Sequence, residues 1–139
     1  MPEDDNILSL TADGVQFAEW KTGVENDELD LVSISLNADH TLTAIFLSLT
    51  KQLEVKFEFQ DARAFRVLDE GGLLELWAAS QERPRPAQTT FRVRGHTWQY
   101  ESPLAWVHGT AEPYFSYMIA TDWDCLEVVS YDAPTVKVG

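Results

Sequence analysis

The stretch Leu53 to Gln60 constrains this chain more than any other. Leu53, Val55, Phe57 and Phe59 alternate with Glu54, Lys56, Glu58 and Gln60. Side chains two apart share one face of a β-strand, so the pattern puts the apolar groups on one side and the polar groups on the other. A helix would scatter both sets around its axis. The segment therefore predicts a strand with one face on a core and one face on water. Such a strand needs neighbours, and the rest of the sequence offers them.

Val32, Ile34 and Leu36 alternate with Ser33 and Ser35, and the turn residues Asn37-Ala38-Asp39-His40 follow. Thr41 to Leu49 is β-branched and apolar on both faces, which predicts a more deeply buried strand. Ile7 to Leu10 and Val15 to Trp20, separated by Ala12-Asp13-Gly14, read as an opening hairpin, and Lys21 to Asp30 reads as a loop. Ala64 to Leu68 ends at Asp69-Glu70-Gly71-Gly72, where two glycines able to take positive φ predict a sharp reversal. Leu73 to Ala79 is made of good helix formers but is short enough to be a strand. Both prolines of Arg83-Pro84-Arg85-Pro86 require a loop.

Phe91 and Val93 alternate with Arg92 and Arg94 up to Gly95, another strand. Trp98, Tyr100, Leu104 and Trp106 form an aromatic stretch broken by Pro103, and Leu104 to His108 can make one helical turn. Tyr114 to Thr121 and Cys125 to Tyr131 read as a last hairpin closed by Asp122-Trp123-Asp124, with Pro134 ending the ordered part. Strand candidates outnumber helices, and short turns between consecutive strands favour antiparallel pairing. The expectation is a single α+β domain over residues 1–139, dominated by one curved antiparallel sheet with a few short helices. A small barrel or sandwich is the alternative.

Composition supports a packed domain. Of 139 residues 45% are hydrophobic and 12% aromatic, which excludes an intrinsically disordered chain. A chain of this length can bury roughly 68% of its unfolded surface, enough for a core without a metal or disulfide. The single cysteine, Cys125, excludes an internal disulfide and a multi-cysteine zinc site. No apolar run reaches the length of a membrane span; the longest, Leu42 to Leu49, is broken by Thr43 and Ser48. The first residues are acidic where a secretory signal would be basic, so the chain reads as cytoplasmic.

The formal net charge is −13. Residues 1–50 carry ten acids and one base, residues 51–94 seven acids and eight bases, and residues 95–139 six acids and one base. The middle is balanced and both ends are acidic. Direct binding to nucleic acid or to an anionic membrane is disfavoured, because both require concentrated positive charge.

Signatures of catalysis are weak. His40, His96 and His108 lack metal-pair spacing; His40 and His96 stand beside turn signals and read as loop residues. Cys125 has acidic neighbours in Asp124 and Glu127, which oppose thiolate formation, and reads as a buried structural cysteine. Asp69-Glu70 and Asp122-x-Asp124 are paired carboxylates that acid–base or Mg²⁺ chemistry could use, and Asp69 or Glu70 is the residue on which a hydrolase reading rests. Asp is also an ordinary turn residue. No residue is put forward for catalysis, a cofactor or a metal. Trp123, between two acids at a hairpin tip, reads either as an exposed binding anchor or as a side chain folded back on the sheet.

Phe65 to Trp77, and Tyr117 to Thr121 leading into Cys125 to Ser130, resemble small bacterial immunity proteins of polymorphic-toxin, contact-dependent-inhibition-like systems. The resemblance implies a non-enzymatic protein that binds a cognate toxin and blocks it. Many toxin domains act on nucleic acid and present basic clefts, so the expected partner is a basic protein such as a nuclease, met by an acidic face. The residues expected to face it are Glu25, Asp27, Glu28 and Asp30 together with Asp122, Trp123 and Asp124. The competing expectation is a small-ligand-binding domain whose pocket is lined by Phe57, Phe59, Trp77 and Trp98. The oligomeric state is left open.

Overall fold

The computed structural model describes residues 14–139. The Ile7–Leu10 half of the expected opening hairpin lies outside them. The described strands are β1 (Gln16–Glu19), β2 (Leu29–Leu36), β3 (Leu42–Ser48), β4 (Leu53–Phe59), β5 (Ala62–Asp69), β6 (Thr90–Arg94), β7 (Ser116–Ile119), β8 (Asp124–Ser130) and β9 (Thr135–Val138). A 3-10 helix, Glu70–Leu73, leads into α1 (Leu74–Glu82); α2 (Thr97–Glu101) and α3 (Pro103–Gly109) separate β6 from β7. The architecture is α+β and antiparallel, with short helices, and among the described residues no barrel closes.

The strands are shared between two sheets. One runs β1-β6-β7-β8-β5 and the other β2-β3-β4-β9. The apolar row of β4 explains why they meet. Val55, Phe57 and Phe59 are fully buried and join Leu42, Ala44 and Phe46 of β3 against Tyr117, Ile119, Leu126 and Val128 of the other sheet. Trp20 seals this layer, with ring centroids 4.9 Å from Tyr117 and 5.8 Å from Phe57. The far face of the five-stranded sheet carries the helices. Leu73, Leu76 and Ala79 pack there on Phe91, Val93, Met118 and Cys125. β7 and β8 are therefore covered on both faces, and nearly every residue in them is buried.

Several local expectations change in this setting. The outer face of the four-stranded sheet is not covered among the described residues, so β3 is buried on one face only and Leu47 is 40% exposed. Val32 does not share the inward face of β2. A bulge between Leu31 and Ser33 makes it the extra residue, 62% exposed, and the residues packed inward are Leu29, Leu31 and Ile34, with Leu36 exposed at the strand end. Gly71 and Gly72 do not use positive φ. They sit inside the 3-10 helix, whose start is capped when the Asp69 carboxylate accepts the Gly72 N–H at 2.9 Å. Leu73 to Ala79 resolves as helix because it covers the second apolar cluster.

Order continues beyond Pro134, where β9 pairs with β4. That pairing takes the open edge of β4. The following strand, β5, although only Gln60 and Asp61 away, joins the other sheet and pairs with β8.

Candidate functional site

A cleft of about 630 Å³ opens where the β1–β2 loop, α1, the loop after α1 and the β7–β8 turn converge. The loop contributes Asn26 to Leu29, α1 contributes Trp77, Ser80 and Gln81, and the turn contributes Ala120 to Asp122; Glu70, Arg85, Gln88 and Thr89 complete the lining. Backbone bonds lock these pieces together. Thr89 N–H donates to Glu25 O at 2.9 Å, and Ala120 N–H donates to Thr89 O at 2.7 Å. Glu70 N–H donates to the carbonyl of Trp123 at 3.0 Å, which ties the 3-10 helix to the hairpin tip.

The cleft is polar and its exposed charge is acidic. Glu28, Glu70 and Asp122 are all exposed. The cation in its lining is Arg85, whose guanidinium lies 4.5 Å from the Trp77 ring and 5.3 Å from the Phe91 ring and bonds Gln88. Burial lowers its pKa from the free value, because a charge is costly where water is excluded. The indole of Trp77 donates to Glu70 O at 2.8 Å, which fixes the wall.

The structure brings part of the expected acidic set together. Glu28 and Asp122, from segments far apart in sequence, line the same cleft. Trp123 follows Asp122 and is 73% exposed, so it is not folded back on the sheet. Its backbone is held while its ring is free: Trp123 N–H donates to Thr121 Oγ1 at 3.0 Å. Asp27 touches the cleft but is a buried structural carboxylate. Its Oδ2 accepts from Lys51 Nζ at 2.7 Å and Ser48 Oγ at 2.9 Å. Burial works to raise its pKa, but the Lys51 and Ser48 hydrogen bonds outweigh that and hold it low.

Glu25 is half-buried and turned onto its own loop, where its carboxylate accepts the N–H groups of Thr22 and Gly23. Backbone N–H groups, its own first, hold its carboxyl below the ordinary value against the opposing effect of burial. Asp30, half-buried on β2 opposite Leu47, and Asp124, exposed on β8 opposite Asp69, do not line the cleft.

The aromatic pocket does not form. Phe57 and Phe59 are sealed between the sheets, Trp77 packs against the cluster under α1, and Trp98 lies against Trp106 in the α2–α3 layer. Asp69 is engaged as the cap of the 3-10 helix, while Glu70 faces the cleft. Among the described residues no group of three or more His, Cys, Asp or Glu side chains is placed to hold a metal ion. Cys125 is buried, and burial pushes its thiol pKa up.

One polar centre was not expected from the sequence. His40 sits in its exposed turn with φ 71°, but His96 is fully buried. Its Nε2 lies 2.6 Å from Glu127 Oε2, which also accepts from Ser116 Oγ at 2.6 Å. Arg66 donates to Glu127 Oε1 from Nε at 2.9 Å and Nη2 at 2.8 Å, and its guanidinium lies 4.6 Å from the Trp98 ring. Burial pushes the Glu127 carboxyl up, but His96, Arg66 and Ser116 together outweigh it and hold it below the ordinary value. His96 and Glu127 are closed to solvent while Arg66 reaches them from a partly exposed position, and the centre ties β5, β7 and β8 to the start of α2.

No protein-family model, no curated protein and no solved structure matches this chain. Among the described residues no helix is long and apolar enough to cross a membrane. Fold and site define an antiparallel α+β domain with an acidic-rimmed cleft beside an exposed tryptophan.

Proposed function

We propose that this is a non-enzymatic binding protein, an immunity protein that neutralises a cognate bacterial toxin in the cytoplasm by occupying the toxin's basic active-site cleft. The observation that carries the reading is the convergence of Glu28, Glu70 and Asp122 on one cleft, with Trp123 standing exposed next to Asp122. Acid around an exposed aromatic suits a basic protein surface. The charges speed encounter and the ring supplies desolvated area after docking. The same rim repels phosphate, which argues against nucleic acid as a direct ligand.

The test is binding of the purified chain to the toxin encoded beside its gene, followed by protection of the toxin's target. Tight, salt-sensitive binding with loss of toxin activity is expected. Absence of binding would sink the reading for that partner. Thermal stabilisation by a small metabolite in its place would move the cleft to ligand binding, for which its volume is sufficient.

A further inference from the structure

We propose that β5 is a self-association edge: two copies of this chain pair antiparallel through β5, about a two-fold axis at Arg66, and join their five-stranded sheets into one. Among the described residues four strands end the two sheets, and three are unsuited to receive another. β1 and β9 have four residues each, and β2 is broken by its bulge at Val32. Short or bulged edges resist a further strand. β5 has eight residues and, after a bulge at Arg63, runs regularly from Ala64 to Asp69 against β8.

Among the described residues, the backbone from Arg63 to Asp69 pairs with β8 alone. α3 packs against both β5 and β8, so it covers the face of the strand and not its edge. On the opposite face Phe65 is 37% and Val67 40% exposed. A long edge that carries open N–H and C=O groups beside exposed apolar side chains is a template for a further strand.

The occupant follows from the strand's own pattern. Directly opposed residues of an antiparallel pair share a face. Pairing centred on Arg66 sets Phe65 against Val67 of the second copy on one face and Ala64 against Leu68 of the second copy on the other. Apolar then meets apolar on both faces. The Arg66 side chains at the axis are each neutralised by their own Glu127. β5 also belongs to the charge-balanced middle of the sequence, so two copies of an acidic chain meet where the acidic excess is absent. Glu70 follows Asp69 directly, so antiparallel pairing carries the two clefts to opposite ends of the joined strands. The inference does not depend on what the cleft binds.

Sedimentation velocity of the full chain over a wide concentration range, at physiological salt, tests it. The wild type should pass from monomer to dimer as concentration rises. Val67→Lys should weaken dimerisation by at least about tenfold, because a lysine at an edge opposes strand addition. Leu47→Lys, an equally exposed position on the other sheet, should change it by less than about twofold. Circular dichroism confirms that each variant is folded, and Phe65→Lys repeats the test if Val67→Lys is not. A wild type that stays monomeric, a dimer indifferent to Val67→Lys, or equal loss from Leu47→Lys would overturn the proposal.

Discussion

At the scale of single residues, Glu127 is a fully buried carboxylate that would be costly to leave unpaired. A buried carboxylate is tolerated because three side chains compensate its lost hydration. Glu127→Gln should destabilise the fold by about 3–5 kcal/mol, since Arg66 loses its counter-charge. The effect has a pH signature. Folding lowers this carboxyl from its ordinary value of 4.5, so as pH falls the unfolded chain takes up the proton first. The stabilisation is complete above about pH 4.5 and drains away as pH falls toward the folded value. Urea midpoints taken from neutral to acid pH should show wild type losing more stability in that window than the Gln variant. Gly95 is the other critical residue. Its φ is 83°, and a Cβ there would overlap the carbonyl of Gly14. Gly95→Ala should therefore cost more than about 1 kcal/mol, visible as a lower urea midpoint at unchanged slope. Reading the sequence located Gly95 as a strand end but gave no hint of this approach, because Gly14 is brought there by the β1–β6 pairing.

At the scale of elements, β4 is where local pattern and tertiary packing agree. Phe57 is fully buried between the sheets, while Lys56 points to the outer face. Phe57→Ala should lose about 3–5 kcal/mol through lost burial and a cavity. Lys56→Ala should lose less than about 0.5 kcal/mol. Equal losses in chemical denaturation would mean the register is wrong. β2 shows how the same alternation misleads. Val32, Ile34 and Leu36 keep the strand period, yet a bulge, which no residue type announces, turns Val32 outward. Residues 70–73 show a different limit. Two glycines permit positive φ without requiring it, and the Asp69 cap with the demand for Leu73 in the core made a 3-10 helix the better solution.

At the scale of the whole molecule, the proposed function rests on convergence. If the proposed toxin is the partner, charge reversal at Glu28 and Asp122 together should slow association with it and flatten its salt dependence, because both stand on the exposed rim. Trp123→Ala should act mainly on dissociation, since a desolvated anchor is lost only after docking. Stopped-flow association at two salt concentrations separates the two effects; unchanged rates for both variants, with folding intact, would place the interface elsewhere. Asp27 is no part of such a test, because reversing it would oppose Lys51 inside the fold and lower stability before binding could be read. The sequence by itself determined the antiparallel α+β class, most of the strands and the turns between them, because period-two alternation and turn chemistry act over a few residues. It singled out Glu28, Asp122 and Trp123 as candidates, and the fold sets the first two on one cleft and leaves the third exposed. Only the tertiary structure decided that β4 and its immediate successor β5 belong to different sheets, that His96 and Glu127 meet in the interior, and that the β1–β2 loop closes on the β7–β8 turn to form a cleft. Each of these depends on which distant segment competes successfully for an edge or a buried position, and that competition is settled by packing over the whole chain.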